Sequence, residues 1–158
     1  MKVEEQWGDQ RIAWLYDKCI TRWPSGLKHS GDDFWNHCIG VANILQEEMN
    51  APEDVCIAGL YHSCYGTVYF GPDLGLTRNE VREVIGERAE LFAWEFCQIP
   101  HPRIEYLKQD DYPCRLEMLL IELANYLEQA RRGAITVNAD KHNYLDKAII
   151  DEIKRKFN

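Results

Sequence analysis

The run Val55-Cys56-Ile57-Ala58-Gly59-Leu60-Tyr61-His62-Ser63-Cys64 is apolar nearly all round, and it constrains the fold more than any other feature of the chain. Pro52-Glu53-Asp54 opens it as a helix, since proline is tolerated in a first turn and acids suit the positive end of the helix dipole. A helix without a polar face has to be buried on most of its sides. The rest of the chain must therefore supply amphipathic helices to surround it.

The remaining patterns do so. Over about 3–23, Trp7, Ile12, Leu15, Cys19 and Trp23 recur at near-helical spacing until Pro24-Ser25-Gly26 stops them. A second helix starts at Asp32 or Asp33, either of which can cap it, and carries Trp35, Cys38, Val41, Ala42 and Leu45 to about Asn50. A loop rich in glycine and aromatics follows the central helix, and Thr77-Arg78-Asn79-Glu80 then forms a capping box before Val81, Val84, Ile85 and Ala89. Gly86 can break that helix and leave 90–98 separate, and Pro100 and Pro102 interrupt the next stretch. Leu116, Leu119, Leu120, Leu123 and Leu127 predict a long helix from about Cys114 to Arg131, with Gly133 as its C-cap. A last helix is expected over about 140–156. Strand signals are scarce, so the expected class is all-α, with about six to seven helices in one domain over 1–158.

With 46% hydrophobic residues the chain can build a core, and its formal charge of −8 with no long basic run argues against a nucleic-acid partner. No 18 uncharged apolar residues run together, and the first residues carry no apolar signal region, so neither a membrane span nor secretion is expected. Six cysteines without a C-x-x-C fit reduced thiols packed as small hydrophobes, which makes the cytoplasm the expected compartment.

Chemistry concentrates at three histidines. His37 begins a face with Val41, Ile44 and Glu48, and His62 shares a face with Val55, Ala58 and Gly59 on the central helix. Gly59 lets another part of the chain come close just before His62. Imidazoles on facing helices can ligate Zn, Fe or Mn. Two buried histidines can equally be hydrogen-bonded core residues, and spacing alone leaves both readings open.

The order of segments adds a resemblance. Lys28-His29-Ser30-Gly31 precedes His37-Cys38-Ile39-Gly40-Val41-Ala42, and Ala58-Gly59-Leu60-Tyr61-His62-Ser63 follows about 25 residues later. Thr77 to Ala89 and Leu123-Ala124-Asn125-Tyr126-Leu127 complete the set. Over about 28–132 this resembles the HD superfamily of metal-dependent phosphohydrolases, and within it the alarmone (guanosine tetraphosphate) hydrolases. The resemblance implies two His and two Asp on one metal, plus an acidic pair that helps activate water. Here the two aspartates fall on Ser63 and Asn125, and the acidic pair on Gly66 and Thr67. Both imidazoles are kept and both carboxylates are lost.

The expected site therefore takes His37, His62 and His29 as ligands of a divalent Zn, Mn or Fe ion, with His62, Ser63 and Asn125 in catalytic positions. His29 would supply a third imidazole, an arrangement zinc accepts while leaving room for water. Lys28, Tyr65, Tyr69 and Arg78 are expected to bind a small phosphorylated or otherwise anionic molecule. Tyr65, Tyr69 and Phe70 can wall a pocket or pin the loop to the core, and the sequence does not separate the two. Glu47, Glu48 and Glu122 are candidate bases, Arg82 and Arg103 further phosphate contacts, and His101 and His142 surface residues. Three functions follow: a phosphohydrolase-like enzyme, a catalytically degenerate module binding a small molecule or protein, and an HD-like iron oxygenase. Fold alone does not choose among them.

Overall fold

The computed structural model describes residues 9–24, 31–66 and 74–132, together with Lys2 and Arg155. Among these the chain is all-α, with seven α-helices: α1 (Asp9–Arg22), α2 (Gly31–Asn43), α3 (Glu53–Leu60), α4 (Arg78–Ile85), α5 (Glu87–Gln98), α6 (Arg103–Leu107) and α7 (Arg115–Arg131). No helix among the described residues is long and apolar enough to cross a membrane.

The central position predicted for the third helix is what the structure shows. Residues Val55 to Leu60 of α3 are all buried, and the helix packs against α2, α5 and α7. Burying an aliphatic side chain of this size contributes about 1.5–3 kcal/mol, so Val55, Ile57 and Leu60 anchor the whole arrangement. α1 lies against α2 and α4, and one contiguous core runs from Leu15 to Ala124.

Local chemistry sets the boundaries. The Thr77 hydroxyl accepts the Glu80 amide at 3.2 Å and the Glu80 carboxylate accepts the Thr77 amide at 2.8 Å, so the capping box forms as read. Gly86 takes φ +91°, a left-handed value that side chains avoid, and it separates α4 from α5.

Three details differ from the sequence reading. The second helix does not continue regularly to Asn50: α2 ends at Asn43 and a π-helical turn, Ile44–Glu48, follows, with the Met49 amide bonded to the Ile44 carbonyl at 3.2 Å. Apolar residues at 44, 45 and 49 suit either turn, so the pattern could not reveal the widening. The central helix is regular only to Leu60, and 61–65 form tighter turns in which the His62 amide reaches back only to the Gly59 carbonyl. After Pro102 a short helix, α6, forms where only an interruption was expected. The parts of the first helix before residue 9, the Gly133 cap and the helix over 140–156 lie outside the described residues.

Gly59 has a packing role. A Cβ there would stand 2.2 Å from Leu45 Cδ1 and 3.5 Å from Val41 Cγ1, and both neighbours are fully buried. Gly59→Ala should therefore destabilise the protein by about 1–3 kcal/mol through overpacking, despite the better helix propensity of alanine. A melting temperature equal to or above that of the native chain would contradict this account of the α2–α3 contact.

Candidate functional site

His37 comes from the middle of α2 and His62 from the turn after α3, and the close approach at Gly59 brings the two together. Their Nε2 atoms are 3.1 Å apart, and the rings meet edge to face with centroids 4.9 Å apart. His62 is 1% exposed and lies edge to face on Phe96. The His37 side chain is 12% exposed, so the pair opens to the surface on the His37 side.

What lies behind each ring determines its state. His62 Nδ1 is 2.7 Å from the Gly59 carbonyl, which can only accept, so Nδ1 carries a proton. His37 Nδ1 hydrogen-bonds Glu128 Oε2. Burial opposes ionisation of Glu128, but hydrogen bonds from His37 and Arg132 outweigh it and hold the carboxyl below its ordinary range. Glu128 is therefore an acceptor too. Burial, followed by the charge of His37, pushes the His62 pKa well below the ordinary histidine value, so this ring is neutral.

With both Nδ1 positions facing acceptors, the two Nε2 atoms point at each other across 3.1 Å, and that of neutral His62 carries a lone pair. Such a contact is repulsive unless a cation, either a proton or a metal ion, lies between the nitrogens. Two imidazoles on one ion, with bonds of about 2.0–2.1 Å and angles between about 90° and 110°, place their nitrogens about 2.8–3.4 Å apart. The pair fits that requirement.

Asn125, on α7, is buried near enough to the His62 ring to favour its protonation, and Gln129 Nε2 donates to Asn125 Oδ1 at 2.9 Å. Its amide can lend an oxygen to an ion at the pair. Ser63 is buried beside His62 in the chain. Among the described residues no group of three or more His, Cys, Asp and Glu converges as a metal cluster, so the histidine pair and the Asn125 amide are the donors on view. His29, Lys28 and Tyr69 lie outside the described residues, and the three-imidazole arrangement with them.

Tyr65 and Arg78 do come together, on a protein carboxylate. Glu90, 1% exposed on α5, accepts Arg78 Nε at 2.7 Å and Nη2 at 3.0 Å, and the Tyr65 hydroxyl at 2.9 Å. The Arg78 guanidinium also stacks 4.5 Å over Trp94, and the Tyr65 ring meets Trp94 edge to face. Arg82 stands 3.9 Å from Glu90. Of the two roles open to Tyr65, the structure shows the fastening one: with the Leu74 amide bonded to the Cys64 carbonyl at 3.3 Å, the cluster joins the end of the 61–65 turns to α4 and α5.

The other candidates are also engaged. Glu122 is fully buried against Arg103 Nη1 at 3.0 Å, and Glu48 pairs with Arg131 at the surface. Glu47 and His101 are exposed. His142 lies outside the described residues. All six cysteines are free thiols, five of them buried, and burial pushes Cys19, Cys56 and Cys97 up to about 12.

Sequence reading missed Glu128 and Glu90. Both left a signal: Glu90 lies on one face with the buried Ala93 and Cys97, and Glu128 on one face with Ile121 and Asn125. An acid on an apolar face needs a buried partner.

A family model described as a domain of unknown function (DUF6817) matches residues 20–101, just over half of the chain. That segment includes both histidines and Glu90 but ends before α7, which carries Asn125 and Glu128. No curated protein and no solved structure matches the chain.

Proposed function

Because the chain belongs to the DUF6817 family, whose description assigns no activity, we propose a function from its own residues: a divergent HD-type site that holds one divalent ion and acts as a metal-dependent phosphohydrolase on a small phosphorylated or otherwise anionic molecule. The observation that carries the reading is the His37–His62 contact, with Nε2 atoms 3.1 Å apart and both Nδ1 atoms committed elsewhere. The order of motifs that resembles the HD superfamily supports it.

In this reading His37 and His62 hold the ion, the Asn125 amide oxygen completes the protein donors on view, and Ser63 orients water or substrate. A divalent ion at such a site acts as a Lewis acid and makes hydroxide available near neutral pH. The chain contributes the His62 imidazole, kept neutral by burial, beside His37, and an approach for the ligand from the more exposed His37 side. Neutral nitrogen donors without a carboxylate favour Zn or Fe over Mn, which prefers oxygen.

Ser63 and Asn125, at the positions where the resembled family has carboxylates, favour a second reading, a module that binds its ligand without turnover. Elemental analysis of protein purified without added metal tests the first. About one ion per chain is expected, as on a single mononuclear site, and His37→Ala and His62→Ala should each lose it. Absence of metal, with no uptake on titration of Zn²⁺, Mn²⁺ or Fe²⁺, would overturn the metal site. A stoichiometric ion with no hydrolysis of any phosphoester offered would favour the binding module.

A further inference from the structure

Glu128 is an unusual residue to find behind His37. Its side chain is 9% exposed, and it crosses from α7 onto α2 at Gly40, three residues along the helix from His37. A Cβ at Gly40 would stand 2.8 Å from Glu128 Cγ and 3.5 Å from Oε1, so the carboxylate reaches the imidazole only because residue 40 has no side chain. Arg132, just past the end of α7 and half-exposed, holds Oε1 at 2.8 Å, approaches Oε2 at 3.3 Å and comes within 3.4 Å of His37 Nδ1. The result is a cluster of half-exposed guanidinium, buried carboxylate and imidazole that borders the His37–His62 contact.

We infer that Glu128, seated over Gly40 and held by Arg132, is a positioning residue for the metal site: it keeps His37 protonated at Nδ1 with Nε2 aimed at His62, and supplies from behind the ring the negative charge that Ser63 and Asn125 do not. The inference rests on the metal reading above. A carboxylate hydrogen-bonded to the far nitrogen of a ligating histidine fixes its tautomer and raises its basicity. It stabilises a cation at Nε2 whether or not a carboxylate touches that cation. A chain that has lost both carboxylates of the inner set gains most from one placed there.

A contact that merely fastens α2 to α7 would show the same distances, so the experiment separates the two roles. The probe is Zn²⁺ alone, its affinity measured by competition with a chromophoric chelator, beside the melting temperature of the metal-free protein. Glu128→Gln keeps size and hydrogen-bonding capacity, so the metal-free melt should fall only by what the ion pairs of Glu128 contribute, while Zn²⁺ affinity falls about 10–100-fold. Gly40→Ala should lower affinity in the native background by displacing the carboxylate. Combined with Glu128→Ala it should add less than about twofold, because the new methyl then has no carboxylate to displace.

Affinity of Glu128→Gln within about threefold of the native chain would overturn the positioning role, being short of what such partners contribute. So would an equal loss from Gly40→Ala in both backgrounds. Should Glu128→Ala fail to fold, Glu128→Gln decides alone. If the native chain takes up no Zn²⁺ this inference falls, and the metal reading falls with it when Mn²⁺ and Fe²⁺ are refused as well, whereas native Zn²⁺ binding that is indifferent to Glu128 removes only the inference.

Discussion

Arg78→Ala should lower the stability of the protein by about 2–3 kcal/mol and its melting temperature by about 5–10 °C. Glu90 is 1% exposed and takes two hydrogen bonds from the Arg78 guanidinium, at 2.7 and 3.0 Å. Removing one partner of a buried ion pair typically costs about 3–5 kcal/mol, because the remaining charge is left without compensation. The lower figure applies here, since Arg78 is about a third exposed and Arg82 and the Tyr65 hydroxyl stay near the carboxylate. Glu90→Gln removes the charge that needs compensating. In that background Arg78→Ala should cost less than about 1 kcal/mol, a coupling of the size expected for residues in direct contact. Equal losses in both backgrounds, read from thermal or urea unfolding, would mean that Arg78 stabilises by its stacking on Trp94 and not through Glu90. The same variants test the reading of Arg78 as a substrate contact. If Arg78 binds an anionic ligand directly, Arg78→Ala should weaken that ligand even where Glu90→Gln has made the fold indifferent to it.

The parts of this molecule legible in the sequence are those that depend on period and on local chemistry. The all-apolar run from Val55 predicted a central helix, the Thr77–Glu80 box predicted its own hydrogen bonds, and Gly86 predicted a break. Each rests on one segment and on rules acting within a few residues. The nearness of His37 and His62 was legible for a related reason, because Gly59 leaves space on the face that precedes His62. What the sequence hid was pairing across elements. Arg78 reads as a candidate phosphate contact until Glu90, twelve positions on, is seen to occupy its guanidinium. Glu128 lies 91 positions from His37, and no local rule connects them. The π-helical turn at Ile44–Glu48 was hidden differently, since adding one residue to a turn leaves an apolar pattern almost unchanged.

Guanosine tetraphosphate, the substrate of the hydrolases that this chain resembles, should be turned over weakly or not at all, and two substitutions should change how the protein responds to metal. Removing a positioned acid–base group typically costs about 10²–10⁴ in rate, and Gly66 and Thr67 stand where the resembled family has an acidic pair. Weaker binding of the proposed ion, which would supply hydroxide, adds to this, although losses among residues that act as a unit do not simply multiply. The backbone restricts which changes can be reversed. Gly66 takes φ +77°, so a carboxylate there would strain the turn as well as add charge. Ser63 and Asn125 are not at positive φ, and both are buried next to His62 or near its ring. Ser63→Asp with Asn125→Asp therefore adds one carboxylate beside His62 in the chain and one near its ring without backbone strain. In metal-free buffer the double variant should be less stable than the native chain, because buried like charges are left uncompensated. Adding Mn²⁺ should then stabilise it more than the native protein, by about 2.7 kcal/mol for each hundredfold excess of ion over its dissociation constant. Differential scanning fluorimetry across a Mn²⁺ series, with a phosphate-release assay alongside, reads both effects. Turnover by the native chain near 1 s⁻¹, an ordinary enzymatic rate, would show that the lost acids are compensated, with His29 the first residue to replace. A double variant that folds but gains no extra stabilisation from Mn²⁺ would place Ser63 and Asn125 outside the reach of any ion at His37 and His62, and would break the residue-by-residue correspondence with the HD superfamily.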